Sequence, residues 1–101
     1  MINVLATIEL KPGTREEFLG HFNDNVPAVL AEAGCIEYFP AVDVDSKLDI
    51  QSTDSNTVTV IEKWESLDAL HDHLKAPHMA TYKEKVKDMV VGLSLKVLEK
   101  A

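Results

Sequence analysis

One stretch of the sequence predicts both a strand-to-helix junction and a candidate site. It runs Val60-Ile-Glu-Lys-Trp-Glu-Ser-Leu-Asp-Ala-Leu-His-Asp-His-Leu-Lys-Ala-Pro-His-Met79. Its alternating residues up to Trp64, the only tryptophan, predict a strand, and Ser66 can cap a helix that begins directly afterwards. Pro77 then interrupts the helical pattern. Three of the four histidines and Tyr82 follow the tryptophan closely. We therefore expect any ligand chemistry to lie where this strand meets this helix.

Composition and charge narrow the classes of protein that fit the chain. It has 101 residues, 46% hydrophobic and 27% charged, as in an ordinary soluble globular protein. A formal charge of −7 argues against a nucleic-acid partner, because phosphates require a basic surface. Cys35 alone excludes an internal disulfide, and no apolar run approaches the roughly 20 residues of a membrane span. We expect one domain over residues 1–101, cytoplasmic and without membrane contact.

The first part of the chain predicts a strand followed by a helix. Residues 2–10 alternate between the two faces of a strand, and Thr14-Arg-Glu-Glu17 fits a capping box at the start of a helix. We expect Pro27, which lacks an amide hydrogen, to kink this helix and Gly34 to end it. The positions predicted to face the core are Phe18, Phe22, Val26, Val29, Leu30 and Ala33.

The remainder predicts three strands and two helical segments. Pro40 cannot donate to a neighbouring strand, so it indicates a sheet edge or a bulge. The helix after Ser66 is expected to bury Leu67, Leu70 and Leu74. The predicted order is a strand over 35–44, an exposed connection over 45–56, a strand over 57–64, that helix, a helical stretch over 78–90, and a short strand containing Leu93, Leu95 and Val97.

The order of elements is β-α-β-β-α-β, which is typical of the α+β ferredoxin-like fold with both helices on one face of an antiparallel sheet. Ile2, Val4, Ala6 and Ile8 would face the helices. The opposite face is too apolar to remain in water, so we expect a homodimer in which a second subunit covers it. The residues expected on that face are Leu5, Phe39, Thr7, Thr59, Ile61 and Leu98.

The candidate site residues each allow more than one structural or functional interpretation. Trp64 can fill the core or form a flat wall for an aromatic ligand, and Glu62 shares its strand face. His71 and His73 lie about 200° apart around a helix, so they cannot easily chelate one ion, and we predict no metal site. By periodicity, His71 flanks the leucine stripe more closely than His73 does. Cys35 is expected to be a small buried thiol rather than a nucleophile.

Five short segments together give the chain a resemblance to a known family. Glu62-Lys-Trp-Glu-Ser66, then Leu70-His-Asp-His73 and Ala76-Pro-His78, resemble the antibiotic biosynthesis monooxygenase family and its quinol monooxygenase relatives. Lys11-Pro-Gly-Thr14 before the first helix and Ala33-Gly-Cys35 before the second strand are also similar to that family. The similarity spans nearly the whole chain.

The resemblance implies a fold, an activity and a site. The fold is a ferredoxin-like protomer whose dimer joins two sheets into an α/β barrel, with a pocket in each subunit. The activity is oxidation of a small quinol or phenolic aromatic by dioxygen, without metal, flavin or haem. Carried onto matching positions, His73 would be the base and Trp64 a stacking wall, both catalytic, while Glu62, His78 and Tyr82 would bind the substrate.

Two departures limit what the resemblance implies. Val60 stands where antibiotic-forming relatives place an asparagine, which disfavours polyketide tailoring. Ala6, His73 and Lys83 stand at the positions of the asparagine, tryptophan and histidine of haem-degrading relatives, which disfavours haem degradation. Two alternatives remain open: a non-catalytic dimeric binding protein for an aromatic metabolite, with a role in stress, and a structural dimer whose pocket is filled.

Overall fold

The computed structural model describes residues 1–101, which form one sheet of four strands and three helices. Two helices follow the third strand, and the second of them begins at Pro77. Proline has no amide hydrogen, so it suits the first turn of a helix. The elements are β1 (Ile2–Leu10), α1 (Arg15–Leu30), β2 (Cys35–Ala41), β3 (Thr57–Trp64), α2 (Leu67–Lys75), α3 (Pro77–Val86) and β4 (Val90–Leu98).

The sheet has the strand order β2-β3-β1-β4, and every pairing is antiparallel. Ala6 in the middle of β1 pairs with Val60 of β3 on one side and with Leu95 of β4 on the other. The predicted α+β ferredoxin-like βαββαβ arrangement is therefore confirmed. β2 lies at an edge of the sheet and its register shifts near its start, in keeping with the prediction from Pro40.

The core lies between the sheet and the helices. Alternate residues of β1 and β3 point into it, because side chains along a strand alternate between the two faces. Two phenylalanines of α1 and the indole of Trp64 occupy its centre, each 2% exposed or less. The buried apolar residues are Ile2, Val4, Ala6, Ile8, Leu10, Phe18, Phe22, Val29, Tyr38, Val58, Val60, Trp64, Leu70, Met79, Tyr82 and Val86.

Helix α1 departs from its prediction at three places. The Thr14 hydroxyl donates to the Lys11 carbonyl at 2.7 Å and makes no capping bond, so the predicted capping box is absent. Pro27 lies inside a helix that is continuous to Leu30. Pro27 and the turn preceding it are largely exposed, so water can satisfy the carbonyl that loses its partner. The helix ends at Leu30, before Gly34.

Other boundaries and burial predictions also change. β2 ends at Ala41, which leaves Val42 and Val44 exposed in the following connection. In α2, Leu70 is buried as predicted, but Leu67 and Leu74 are 51% and 45% exposed. The second buried position of this helix is His73, because the helix presents that side of itself to the sheet. β4 begins at Val90 and is longer than predicted.

Gly34 fixes the approach of α2 to the start of β2. Its φ is +84°, and a Cβ at this position would lie 2.6 Å from the Cβ of Ala69. Its carbonyl also accepts a hydrogen bond of 2.8 Å from the amide of Glu65. A side chain here therefore meets both backbone strain and a steric clash.

We expect Gly34→Ala to lower the free energy of unfolding clearly more than Gly13→Ala does. Gly13 also has a positive φ, of +81°, but a Cβ there meets nothing within 4 Å. Gly13→Ala should therefore lower the free energy of unfolding only by the cost of a left-handed backbone at a residue with a side chain, about 1–2 kcal/mol. Urea denaturation of the two variants measures the difference. Equal losses would show that α2 moves away from Gly34 without cost.

Candidate functional site

A cavity of about 410 Å³ lies between the sheet and the helices, and we call it the main cavity. Its volume falls within the range of about 300–1,000 Å³ that is usual for small-molecule sites. Most of its wall is apolar, and a few polar side chains converge on it. The lining residues are Ala6, Ile8, Phe22, Tyr38, Val60, Glu62, His73, Leu74, Met79, Tyr82, Lys83, Val86, Lys87, Val90, Leu93 and Leu95.

Glu62 brings a carboxyl group into this apolar surrounding. It is 7% exposed, and its Oε1 accepts a hydrogen bond of 2.9 Å from the indole nitrogen of Trp64. Burial raises the pKa of Glu62, the bond from Trp64 opposes that rise, and the nearby charge of Glu32 adds to it. The carboxyl group is thus oriented by Trp64 and faces the cavity.

His73 is the imidazole of the main cavity. It is 2% exposed, and its ring lies 4.6 Å, centroid to centroid, from that of Trp64. Nδ1 lies 2.8 Å from Oε2 of Glu32. An ionised carboxylate can only accept, so Nδ1 carries the hydrogen and Nε2 presents a lone pair. No protein group bonds Nε2, and burial lowers the pKa of His73 despite the raising effect of Glu32. The residue is a neutral base at neutral pH.

His78 lies on the far side of the same carboxylate. Its Nε2 is 3.2 Å from Oε2 of Glu32, but this buried nitrogen has no hydrogen bond of acceptable geometry. Its Nδ1 lies 3.1 Å from Oδ1 of Asn25. His78 lines a smaller hollow of about 170 Å³ together with Asn25 and Tyr82, and it does not line the main cavity.

Three aromatic rings, those of Phe22, Tyr38 and Tyr82, line the main cavity. Phe22 and Tyr38 are stacked at a centroid distance of 5.3 Å, and Tyr82 meets Phe22 edge to face at 5.8 Å. Tyr38 also meets His73 at 5.4 Å. Burial raises the pKa of both tyrosines well above the ordinary value. Both phenols therefore remain neutral and can donate a hydrogen bond to a ligand.

The structure brings together three of the five predicted site residues. Glu62, His73 and Tyr82 line the main cavity, whereas Trp64 and His78 do not. Trp64 is fully buried behind Glu62 and His73, so it has no free face on which a ligand can stack. Its place corresponds to a support for these two side chains rather than to the predicted stacking wall.

Sequence reasoning missed Glu32, Tyr38 and Lys83 as site residues. Glu32 follows α1 in a turn, and no periodicity marks it. Tyr38 has the correct strand phase, but phase alone cannot separate a core tyrosine from a cavity tyrosine. Lys83 lines the main cavity and forms no ion pair. Its helical spacing of one turn from Met79 could have placed it on this face.

The remaining candidates have simple structural accounts. Burial, with smaller effects of Glu32 and Glu62, raises the pKa of the Cys35 thiol to about 11, so it is a poor nucleophile at neutral pH. No group of three or more His, Cys, Asp or Glu side chains is placed to share a metal ion. The helices are all too short or too polar to cross a membrane.

The fold and the main cavity define a class: a ferredoxin-like protein with a cavity of small-ligand size between its sheet and its helices. Residues 1–85 match the family described as Antibiotic biosynthesis monooxygenase, and the chain belongs to that family. It is 39% identical to the "Probable quinol monooxygenase YgiN" of Escherichia coli K12 over 101 residues, which cover 98% of this chain and 97% of the relative.

Solved structures share the fold at lower sequence identity. PA3566 from Pseudomonas aeruginosa is 24% identical with a TM-score of 0.82, and the match covers 99% of this chain and 93% of that one. A conserved protein from Methanosarcina mazei Go1 is 20% identical with a TM-score of 0.84, covering 99% and 92%. These structures confirm the fold, whereas the family match over residues 1–85 and the 39% identity to the Escherichia coli relative confirm the family resemblance.

Proposed function

We propose that this protein is a cofactor-independent monooxygenase that oxidises a small quinol or phenolic aromatic with dioxygen in the main cavity. The observation that carries this proposal is the position of His73, whose Nε2 has no protein partner in a largely apolar cavity. The name of the Escherichia coli relative supports a quinol as the substrate class. The three lining aromatic rings suit a planar, aromatic ligand.

The chemistry follows from the reactivity of the substrate. His73 Nε2 removes a proton from a ring hydroxyl, and the resulting electron-rich phenolate is the species that reduces dioxygen. A hydroquinone and dioxygen then give a hydroxyquinone and water, with one atom of dioxygen in each product. The largely apolar walls offer water few hydrogen bonds, which disfavours side reactions of the reduced oxygen intermediates.

The other polar groups orient the substrate. Glu62 can accept a hydrogen bond from the second hydroxyl of a quinol, and Tyr82 can donate one to the oxygen that loses its proton. Trp64 holds Glu62 in place through its indole hydrogen bond. His78 lies outside the main cavity and lines the smaller hollow. Glu62 is thus kept in position for the substrate by its neighbour Trp64.

Oxygen uptake with a panel of reduced benzoquinones and naphthoquinones tests this proposal. Quinols also oxidise spontaneously, so each rate is compared with that of buffer alone and with that of a heat-denatured sample. We expect faster uptake with at least one quinol, saturating with its concentration. Uptake at the spontaneous rate for the whole panel would count against the proposal.

A second candidate is a dimeric protein that binds an aromatic metabolite without turnover. Val60 favours it, because this apolar residue in the cavity wall offers no hydrogen bond to an oxygen intermediate. The single Trp64, 4.6 Å from His73, provides a fluorescence signal for ligands in the neighbouring cavity. Quenching by an oxidised quinone, without oxygen uptake on the corresponding quinol, would favour binding alone.

The functional protein is a homodimer in this proposal. Phe39, Ile61 and Leu5 form a row across three strands on the face of the sheet opposite the helices. Phe39 and Leu5 are 44% and 38% exposed, and Leu98 on the same face is 44% exposed. A second copy of the chain would remove this apolar surface from water.

We expect Phe39→Lys to convert the dimer into a monomer, because a charge would enter the apolar contact. Ile50→Lys is the matched control, since Ile50 is 97% exposed in the connection before β3. Sedimentation equilibrium of the wild type and both variants measures the mass. A monomeric wild type at micromolar concentration, or a dimer that Phe39→Lys leaves intact, would contradict the expectation.

A further inference from the structure

The Glu32 carboxylate lies between two histidines that belong to different helices. Its Oε2 is 2.8 Å from Nδ1 of His73 in α2 and 3.2 Å from Nε2 of His78 in α3. The Glu32 side chain is only 16% exposed. A carboxylate that serves only solubility would be exposed to water. The Glu32 carboxylate is instead largely buried and contacts the imidazole of the main cavity, which indicates a role toward His73.

The backbone around Glu32 holds that carboxylate in position. The Glu32 amide donates to the Val29 carbonyl at 3.0 Å, and the Glu32 carbonyl accepts from the Cys35 amide at 3.2 Å. Gly34, two residues later, is bonded to the start of the α2 region through Glu65. The turn after α1 is therefore tied at both ends, so the Glu32–His73 contact does not depend on a loose loop.

We propose that Glu32 is a positioning residue for His73, which fixes its Nδ1–H tautomer and stabilises the imidazolium that forms when Nε2 takes the substrate proton. This inference rests on the proposed function, since it assigns a partner to the base of that reaction. His78, which contacts Asn25 through Nδ1, flanks the carboxylate on its other side.

The proton balance of the proposed reaction favours a base that keeps the substrate proton until water forms, rather than one that releases it to solvent. Conversion of a neutral quinol and dioxygen to a neutral hydroxyquinone and water in the cavity releases no net proton. The proton that His73 Nε2 takes from the ring hydroxyl must therefore return to the reduced oxygen as water forms. A carboxylate that stabilises the imidazolium for this interval, without accepting its proton, serves that purpose.

Charged groups from several parts of the chain affect the protonation of His73. Glu32 favours the imidazolium, whereas His78 and Lys83 of α3 disfavour it, and burial disfavours it most. Among these groups Glu32 is the one that offers both a negative charge and a hydrogen bond. The titratable groups that contact His73 or line the cavity with it are Glu32, Tyr38, Glu62, His78, Tyr82, Lys83 and Lys87.

Nitrogen-15 NMR of the histidine rings tests the inference in the free protein, without any turnover. The wild type should show His73 with a protonated Nδ1 and an unprotonated Nε2 at pH 7.5. Glu32→Gln keeps an acceptor but loses the charge, so the tautomer should persist while the pKa of His73 falls. Glu32→Ala should lose both properties and give a mixture of tautomers. Glu37→Gln, which removes an exposed charge within β2, is the control and should change neither.

The rate of quinol oxidation gives a second readout. Glu32→Gln should lower kcat by about tenfold to a hundredfold, part of the total of about 10²–10⁴ that a general base supplies. The affinity for the oxidised quinone should remain within about threefold of the wild type, because Glu32 does not line the main cavity.

The two proposals fail in distinguishable ways. Unchanged ring signals and an unchanged pKa of His73 in both Glu32 variants would overturn the positioning role, whatever the activity. Normal NMR behaviour without turnover of any quinol would instead count against the monooxygenase and leave the tautomer assignment in place.

Discussion

His73→Gln is expected to lower kcat/KM for quinol oxidation by about 10²–10⁴-fold, the usual contribution of a general base. The variant keeps a polar side chain of similar reach but has no group that accepts a proton near neutral pH. Binding of the oxidised quinone should weaken only slightly, because the apolar wall of the cavity is retained. Initial oxygen uptake and fluorescence titration measure the two quantities separately.

The matched control for this variant is His71→Gln. His71 lies on the same helix two residues earlier, but it is exposed and does not line the main cavity. It should retain the wild-type rate. Equal losses in the two variants would indicate a general effect on α2, and an unchanged rate in His73→Gln would remove His73 as the base.

The pH dependence of the wild type follows from the same histidine. Burial lowers the pKa of His73 below its ordinary value of 6.5, so the neutral form persists as the pH falls through 6.5. The acid limb of kcat/KM should therefore lie below pH 6.5 and be absent from the residual activity of His73→Gln. An acid limb above pH 6.5 would mean that another group, or a more exposed imidazole, is titrating.

Trp64→Phe is expected to lower the free energy of unfolding by about 2–4 kcal/mol near neutral pH. The phenyl ring leaves part of the indole volume empty, and the Glu62 carboxyl loses its 2.9 Å hydrogen bond in a buried place. Loss of this support should also weaken quinol oxidation, because Glu62 and His73 both contact the indole. Urea denaturation at several pH values measures the change in stability.

The cost of Trp64→Phe should grow as the pH rises. The pKa of Glu62 is higher in the folded state than its ordinary value of 4.5, so the native state binds more protons and stability is lost as the pH rises through the folded pKa. The indole bond opposes this rise in pKa. Without it the folded pKa rises further, so the loss at pH 7 exceeds the loss at pH 4.

Glu62→Gln provides the control for this pH dependence. In the double variant Trp64→Phe/Glu62→Gln no carboxyl group titrates at this position, so the cost of Trp64→Phe should become nearly independent of pH. A cost that is the same at pH 4 and pH 7 in the single variant would show that the indole only fills space.

The sequence predicted the fold better than it predicted the site, and the reason is physical. Strand alternation placed Glu62 and Trp64 on one face, and Ser66 capped α2 through a 3.1 Å bond from the Ala69 amide, as expected. These are local properties of the chain. Burial of Leu67 and Leu74 was predicted wrongly because a short helix can rotate about its axis, and α2 turns the face with Leu70 and His73 toward the sheet. Tertiary packing decides that rotation.

The site depends on contacts between distant segments. Helical periodicity favoured His71, whereas the family resemblance pointed to His73, which the structure places in the main cavity. Glu32 and His73 are 41 residues apart in sequence, so no spacing rule could have paired them. Trp64 was identified from its rarity, but its position behind Glu62 and His73 required the assembled core.

Oxidation of a quinol under ¹⁸O₂, in unlabelled water and with immediate analysis, tests the central claim most directly. A monooxygenase places one atom of dioxygen in the organic product and the other in water. We predict a hydroxyquinone with a single heavy oxygen, formed faster with the wild type than with His73→Gln. An unlabelled quinone accompanied by hydrogen peroxide, at a rate equal to that without protein, would contradict the account.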